Sequence, residues 1–171
     1  RRRATRLGGC GDLVMLEDQA HAGWDQAQTE EGAALVESAL RAAGRRAGPY
    51  ALQAAIAAVH AQARAAADTD WKEIAALYGV PAEVHPTPVV ELNRAVAIAM
   101  AGDVARGLSL VDAIEARGAL AGYHLLPTAR AELLRRLGRR GEAAKAYRRA
   151  LELVKNEAER RHLEKRVAEV A

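Results

Sequence analysis

One stretch, Thr87 to Gly102, constrains the fold of this chain more than any other. It reads Thr-Pro-Val-Val-Glu-Leu-Asn-Arg-Ala-Val-Ala-Ile-Ala-Met-Ala-Gly. Thr87 is a typical N-cap, Pro88 suits the first helical position, and Gly102 is a natural stop. The predicted helix has one apolar stripe of Val89, Leu92, Val96 and Met100, and further apolar residues, Val90 and Ile98, on another side. Because a helix that is apolar on most of its circumference must be covered on both faces, we expect it in the middle of a stack of helices.

Composition favours an all-α protein. The 171 residues are 50% hydrophobic, but much of this is alanine, and phenylalanine is absent. Such a composition is typical of helices, and no run of alternating β-branched residues predicts a strand. The Thr87–Gly102 helix is too short to cross a membrane, which takes roughly 20 apolar residues. The single cysteine, Cys10, excludes an internal disulfide and fits a reducing cytoplasm.

The net charge of +3 is unevenly distributed along the chain. Four arginines stand among the first six residues, and 13 Lys and Arg outnumber 7 Asp and Glu from residue 130 to the end, which leaves residues 7–129 at −7. We interpret these charges first as solvated helix faces and a linker. A second hypothesis is that the acidic body attracts a basic surface of a partner. Direct nucleic-acid binding is disfavoured because the basic residues lie at the two ends.

The chain divides into a basic, glycine-rich linker and docking segment, residues 1–23, and a helical domain, residues 24–171. No signal peptide is present. The chain begins with arginine and not methionine, so we expect it to be part of a longer protein. The caps and stop signals predict eight helices: Trp24–Ala43, Pro49–Ala66, one that Asp70 or Thr69 caps and that Gly79 and Pro81 end or kink early, Thr87–Gly102, Asp103–Gly118, Tyr123–Gly138, Arg140–Val154, and one that follows Asn156. Expected inward-facing residues include Leu35 in the first helix, Leu52, Ile56, Val59 and Ala63 in the second, and Leu133, Leu134 and Leu137 in the sixth.

The helices repeat in pairs. A shift of 36 residues places Gly102 on Gly138, Gly107 on Ala143, Val111 on Tyr147 and Ile114 on Ala150. A glycine turn followed by alanine, an aromatic residue and alanine is typical of the second helix of a tetratricopeptide repeat (TPR). Because one hairpin cannot bury its apolar face alone, hairpins of this kind stack. We therefore predict stacked antiparallel helical hairpins that form a TPR-like right-handed solenoid of about eight helices with a concave side.

Several motifs, in one order along nearly the whole chain, resemble a known family. They are Leu16-Glu-Asp-Gln…Trp24-Asp25, Gly48-Pro-Tyr-Ala-Leu-Gln-Ala-Ala-Ile-Ala-Ala-Val-His60, Thr69-Asp-Trp71…Leu77-Tyr78, Pro88-Val-Val-Glu-Leu-Asn-Arg-Ala-Val, and Tyr123-His124 before Leu-Leu-Arg-Arg-Leu-Gly. The chain resembles the TPR-like C-terminal extension of a subgroup of extracytoplasmic-function (ECF) RNA polymerase sigma factors. The resemblance implies a regulatory domain that acts in transcription initiation through the sigma regions of the same polypeptide or through RNA polymerase. Sigma regions 2 and 4, which read DNA in that family, are absent from these residues.

No motif for catalysis or for a cofactor is present. The chain lacks a phosphate-binding loop, a nucleophile elbow, a His-Glu-x-x-His pair and paired cysteines. We therefore expect neither an enzyme nor a bound cofactor. Glu17, Asp18 and His21 are close enough in sequence to hold a metal ion, but we favour no metal site here.

Polar residues on otherwise apolar helices are the better candidates for function. The candidate partner-binding residues are Gln53, His60, Asn93, Arg94, Tyr123 and His124. Buried polar side chains need partners, so these residues form either an internal network that holds hairpins in register or a groove that takes a peptide or domain surface. Trp24 and Trp71 are expected in the core. The alternative to a sigma-factor role is a free-standing TPR-like scaffold or peptide-binding module unrelated to transcription.

Overall fold

A computed structural model of the chain describes residues 26–43, 48–63, 68–84 and 87–171. These residues form eight α-helices and no strand, which confirms the all-α prediction for the described part of the chain. The helices are α1 (Gln26–Ala43), α2 (Pro49–Gln62), α3 (Trp71–Val84), α4 (Pro88–Met100), α5 (Val104–Ala116), α6 (Leu125–Arg136), α7 (Arg140–Leu153) and α8 (Glu157–Val170). The predicted linker, residues 1–23, and Trp24 lie outside the described residues.

Helix α4 joins two parts of the core, as the Thr87–Gly102 stretch predicts. Ala95 and Ala99 belong to a buried cluster that extends through α5, α6, α7 and α8. Ala97 instead belongs to a cluster with Ile56 of α2 and Ile74 of α3. The most deeply buried residues of α4 are thus alanines. Their small side chains let the neighbouring helices approach α4 closely on two sides.

Side-chain caps begin several of the helices where the sequence predicts them. Thr87 Oγ1, Asp103 Oδ1 and Asn156 Oδ1 each accept a hydrogen bond from a backbone N–H two or three residues ahead, at 3.3, 3.0 and 2.8 Å. At the start of α3 the sequence left Thr69 and Asp70 as alternative caps. Asp70 Oδ1 accepts the bond, at 2.9 Å. These bonds satisfy N–H groups that the first helical turn leaves without a partner.

Two consecutive hairpins, α4–α5 and α6–α7, have the same turn. In each turn the glycine N–H donates to the carbonyl three residues back, and the next N–H donates to the carbonyl five residues back. Gly102 and Gly138 have positive φ angles of 118° and 74°, which favour glycine at the end of a helix. The 36-residue shift read from the sequence therefore relates two turns with the same hydrogen bonds.

The close approach of α4 and α5 depends on Gly107. An ideal Cβ atom on Gly107 would lie 2.6 Å from the Cβ of Ala99 and 2.7 Å from the carbonyl oxygen of Ala95. Ala143, its equivalent one repeat later, is fully buried between helices as well. Equivalent positions of the two hairpins therefore carry small residues.

Helix α2 confirms its predicted buried face but not its predicted end. Leu52, Ile56, Val59 and Ala63 are all buried. The prediction extended the helix to Ala66, whereas the backbone becomes extended at Ala63 and the helix ends at Gln62. The following alanine-rich sequence contains no stop signal, so the sequence offered no means of placing this end.

Of the two outcomes predicted at Gly79 and Pro81, an end or a kink, the early end of α3 is wrong. The helix continues past Gly79 and Pro81 to Val84. A proline inside a helix costs about 3 kcal/mol because it removes an N–H donor and crowds the preceding turn. The part of α3 before Pro81 is anchored in the core, since Ile74 is fully buried and Trp71 packs against the same cluster.

Three residues expected to face inward are exposed instead. Leu35 is 65% exposed because α1 packs mainly against α2, which covers only one side of it. Val89 lies in the first turn of α4, at the edge of the stack. Leu137 occupies the turn beside Gly138, where the chain leaves the helix and the side chain faces solvent.

Candidate partner-binding groove

A groove with a volume of about 260 Å³ lies between α4 and α6. The α4 side consists of Leu92, Asn93, Val96 and Met100, which are spaced to share one face of the helix. Three of these residues are apolar. Part of the apolar stripe predicted from the sequence therefore lines an open groove.

The α6 side of the groove uses the same repeat positions as the α4 side. Shifting the four α4 residues by 36 positions gives Thr128, Ala129, Glu132 and Arg136, and all four line the groove. Tyr123, Leu125 and Leu133 complete the lining. The groove thus follows from the repetition of one helix face on two hairpins.

The sequence-based reasoning missed the α6 side of the groove. Thr128, Ala129, Glu132 and Arg136 were not among the candidate residues. The 36-residue shift predicts them when it is applied to the groove-lining positions of α4 as well as to the buried positions of α5.

Glu132 is the centre of the polar contacts on the α6 side. Its carboxylate accepts hydrogen bonds from the Tyr147 hydroxyl at 2.7 Å and from Arg135 Nε at 3.2 Å. Burial by itself raises the pKa of the Glu132 carboxyl, but the hydrogen bonds from Arg135 and Tyr147, with the positive charges of Arg135 and Arg166, outweigh it and lower that pKa. The carboxylate is therefore ionised at neutral pH, with its charge balanced by its neighbours.

Tyr147 connects this carboxylate to the core of the α6–α7 hairpin. The tyrosine is only 1% exposed. Burial, followed by the hydrogen bond to Glu132, raises the pKa of its hydroxyl, so the group is a neutral donor at all physiological pH values. A buried hydroxyl without a partner would cost about 1–3 kcal/mol, so Glu132 has a structural role inside the hairpin as well as a place on the groove wall.

Arg136 is the lining residue that retains unused hydrogen-bond donors. Among the described residues its ion-pair partner is Glu132, with 3.7 Å between Arg136 Nε and Glu132 Oε1. The Glu132 oxygens already accept shorter hydrogen bonds from Arg135 and Tyr147. The groove therefore presents a positive charge where α6 ends.

Asn93 lines the groove and also lies beside Tyr78 of α3. Burial raises the pKa of the Tyr78 hydroxyl, and the neighbouring Asn93 amide offsets only part of this. The amide is therefore near the next helix while it faces the groove.

Of the six predicted residues, Asn93 and Tyr123 line this groove and the other four do not. Gln53 is exposed on α2. His60 packs edge-on against Trp71, with ring centroids 5.1 Å apart and an interplanar angle of 78°. This contact agrees with the prediction that Trp71 belongs to the core.

Arg94 and His124 lie close to the groove without lining it. Arg94 is partly buried, and its Nε has no hydrogen-bond partner among the described residues. His124 lies beside Tyr123, with 5.9 Å between ring centroids, and its Nε2 is 3.1 Å from Glu159 Oε2 of α8. His124 thus contributes to the contact between the start of α6 and the last helix.

The remaining site predictions concern metals and membranes. The described ranges contain no group of three or more His, Cys, Asp or Glu residues that could hold a metal ion. Glu17, Asp18 and His21 lie outside those ranges. In the same part of the chain, no helix combines the length and apolar character that a membrane span requires.

Comparison with known proteins finds a bacterial relative. The chain is 40% identical over 158 residues to an uncharacterized protein of Rhizobium meliloti (strain 1021). The matched region covers 92% of this chain but 36% of the relative, so the chain spans a minor part of the length of that protein. No protein-family model matches the chain, and no solved structure matches it.

Proposed function

We propose that the chain is a regulatory protein–protein interaction domain of an ECF sigma factor. It controls transcription initiation by contacting the sigma regions of its own polypeptide or RNA polymerase, in the cytoplasm. It is not an enzyme and uses no cofactor, and it reaches DNA only through the sigma regions. The observation that carries this proposal is the groove between α4 and α6, built from equivalent positions of two hairpins.

The TPR-like right-handed solenoid is part of the proposal. Its support is the repetition of the turn bonds and of the positive-φ glycines at a spacing of 36 residues. Each helix also packs against the next, and α4 contacts α6. Stacked hairpins, in which each repeat contacts its neighbours along the stack, have contacts of this kind.

The character of the groove supports a protein partner over a reaction. Its volume of about 260 Å³ lies below the range of roughly 300–1,000 Å³ that is typical of small-molecule sites. Glu132, its acidic residue, is engaged by Arg135 and Tyr147, and its pKa is lowered, which does not suit a general acid or base at neutral pH. An apolar groove with a few polar groups instead fits a partner's side chains.

The bacterial relative is compatible with the sigma-factor part of the proposal. Most of its length lies outside the region matched by this chain. A polypeptide of that kind has room for sigma regions 2 and 4 in addition to a helical extension. The sigma-factor role itself rests on the resemblance of the sequence motifs.

Two exposed leucines provide a matched test. Leu125 lines the groove and is 42% exposed, whereas Leu110 of α5 is 37% exposed and lies outside it. The polypeptide that carries this chain is purified and added to bacterial RNA polymerase core, and binding and promoter-dependent transcription are measured. We expect Leu125→Asp to change both by about tenfold or more, since a charge in the centre of an interface removes an anchor. Leu110→Asp should change neither.

Two outcomes would count against this function. A polypeptide that neither binds the polymerase core nor supports transcription contradicts the sigma-factor role. Capture of a different protein, lost in Leu125→Asp and kept in Leu110→Asp, favours the free-standing scaffold or peptide-binding module instead.

A further inference from the structure

We propose that the α4–α6 groove binds a short acidic amphipathic segment of a partner protein, with aliphatic side chains against α4 and a carboxylate paired with Arg136. The inference deepens the proposed function and rests on it only in assuming that a protein fills the groove. It names the chemistry of that protein.

The two walls of the groove differ in polarity at equivalent positions. Leu92, Val96 and Met100 of α4 correspond, 36 residues later, to Thr128, Glu132 and Arg136 of α6. A segment lying between these walls meets aliphatic groups on the α4 side and, on the α6 side, polar groups beside the apolar Leu125, Ala129 and Leu133. Its own side chains must therefore be mostly apolar, with a polar group where the segment meets Glu132 and Arg136.

The charge left to satisfy in the groove is positive. The Glu132 carboxylate accepts bonds from Arg135 and Tyr147, and it also faces Arg136. The Thr128 hydroxyl donates to the His124 carbonyl at 2.8 Å. The guanidinium of Arg136 keeps unused donors, and a carboxylate is the group that it binds most strongly, through two parallel hydrogen bonds.

A basic segment would lack a corresponding site. A lysine or arginine entering the groove would meet the positive charge of Arg136, while the Glu132 oxygens are already engaged. The charge pattern of the groove thus selects an acidic partner and rejects a basic one.

The dimensions of the groove indicate a short segment. From Leu92 to Met100 the α4 wall rises about 12 Å, at 1.5 Å per residue. This length equals about four residues of extended chain at 3.3 Å each, or about two turns of a helix. Asn93 lines the same wall with an amide that can bond the backbone of the segment.

A random dodecapeptide phage library selected on the immobilised full chain tests this assignment. We expect the enriched peptides to combine aliphatic residues with Asp or Glu. Enrichment of Lys- or Arg-rich peptides would overturn the assignment, and so would the absence of any enrichment over a surface without protein.

Charge reversal locates the binding site of a selected peptide. A fluorescent copy of the peptide should bind Arg136→Glu at least about tenfold more weakly than the wild type, because a charge pair becomes a repulsion. Arg148→Glu, the same change on the exposed surface of α7 outside the groove, should bind like the wild type. A peptide with its carboxylate replaced by lysine should regain affinity for Arg136→Glu.

A second variant protects the test against misfolding. If the circular dichroism of Arg136→Glu shows lost helix, Arg136→Gln replaces it, and we expect weaker binding that no longer depends on salt. Unchanged binding by the folded variant would overturn the assignment. If peptides bind as expected but the polypeptide neither binds the polymerase core nor supports transcription, the sigma-factor role fails while the groove assignment stands.

Discussion

The C-terminal hairpins and the first helix of the N-terminal hairpin bury their side chains to very different degrees. From α4 to α8, eighteen buried residues form one cluster that includes Tyr147. In α1 no described side chain is buried, and Leu35 of α1 and Tyr50 of α2 are 65% and 86% exposed. Both regions are rich in alanine, so composition does not explain the difference.

Position in the stack of helices does explain it. Helices α4 to α7 have neighbours on both sides, whereas α1 packs mainly against α2. The last helix, α8, buries Leu163 and Val170 on one side and exposes charged residues such as Glu164 and Lys165 on the other. A polar outer face is what the end of a stack of repeats needs in water, and α1 lacks it at Leu35. The stability of each hairpin is therefore set by its neighbours.

Replacing one tyrosine in each region should give the largest contrast. Tyr147→Ala is expected to lower the free energy of unfolding by about 3–5 kcal/mol, because it leaves a cavity and removes the donor to Glu132. Tyr50→Ala should change it by less than about 0.5 kcal/mol, as expected for an exposed side chain. Urea unfolding followed by circular dichroism measures both. Equal losses would show that the two regions do not differ as described.

Alanine in place of glycine should have opposite signs in the two regions. Gly107→Ala is expected to cost roughly 1–3 kcal/mol, because the new Cβ meets Ala99 and the backbone oxygen of Ala95. Gly32→Ala in α1 has no atom within 4 Å of its new Cβ, and it should gain about 0.5–1 kcal/mol from better helix propensity. Thermal unfolding of the two variants measures both changes in stability. A stabilising Gly107→Ala would contradict the close packing of α4 on α5.

Much of the fold could be predicted because its signals are local. Thr87, Asp103 and Asn156 accept cap hydrogen bonds where they were expected, and Gly102 and Gly138 have the positive φ angles that end a helix. Each of these features depends on a few adjacent residues. They can therefore be predicted from the residues next to them in the sequence.

What the sequence could not provide depends on contacts between distant residues. Pro81 predicts the end of α3 locally, but the helix, which is anchored in the core at Ile74, continues past it to Val84. Leu35 looks like a core residue until it is known that, among the described helices, α1 packs mainly against α2. The groove shows the same limit, since Glu132 and Arg136 face Val96 and Met100 only when two hairpins stack, and no local pattern marks that pairing.

The carboxylate of Glu132 should make the C-terminal region sensitive to acid. Its pKa in the folded chain lies below the ordinary value of about 4.3, so its stabilisation is complete above that value and is lost as the pH falls through the lower, folded pKa. Glu132→Gln should cost about 1–2 kcal/mol at neutral pH by weakening the bonds from Tyr147 and Arg135, and should flatten this pH dependence. Urea unfolding at neutral and acidic pH measures both effects. Glu37→Gln in α1, which removes an exposed pair with Arg41, should cost less than about 0.5 kcal/mol.

Removing the cap of one helix and adding a cap to another should give the smallest effects on the two regions. Asp103→Ala should cost about 1 kcal/mol, because the N–H of Arg106 loses its acceptor at the start of α5. Helix α2 begins at Gly48 without a side-chain cap, and Gly48 has an extended backbone with open space around its Cβ position. Gly48→Asp should therefore stabilise the N-terminal region by a few tenths of a kcal/mol. A larger gain would mean that α2 is limited by its unsatisfied first turn, and no gain would mean that its packing, rather than its ends, sets its stability.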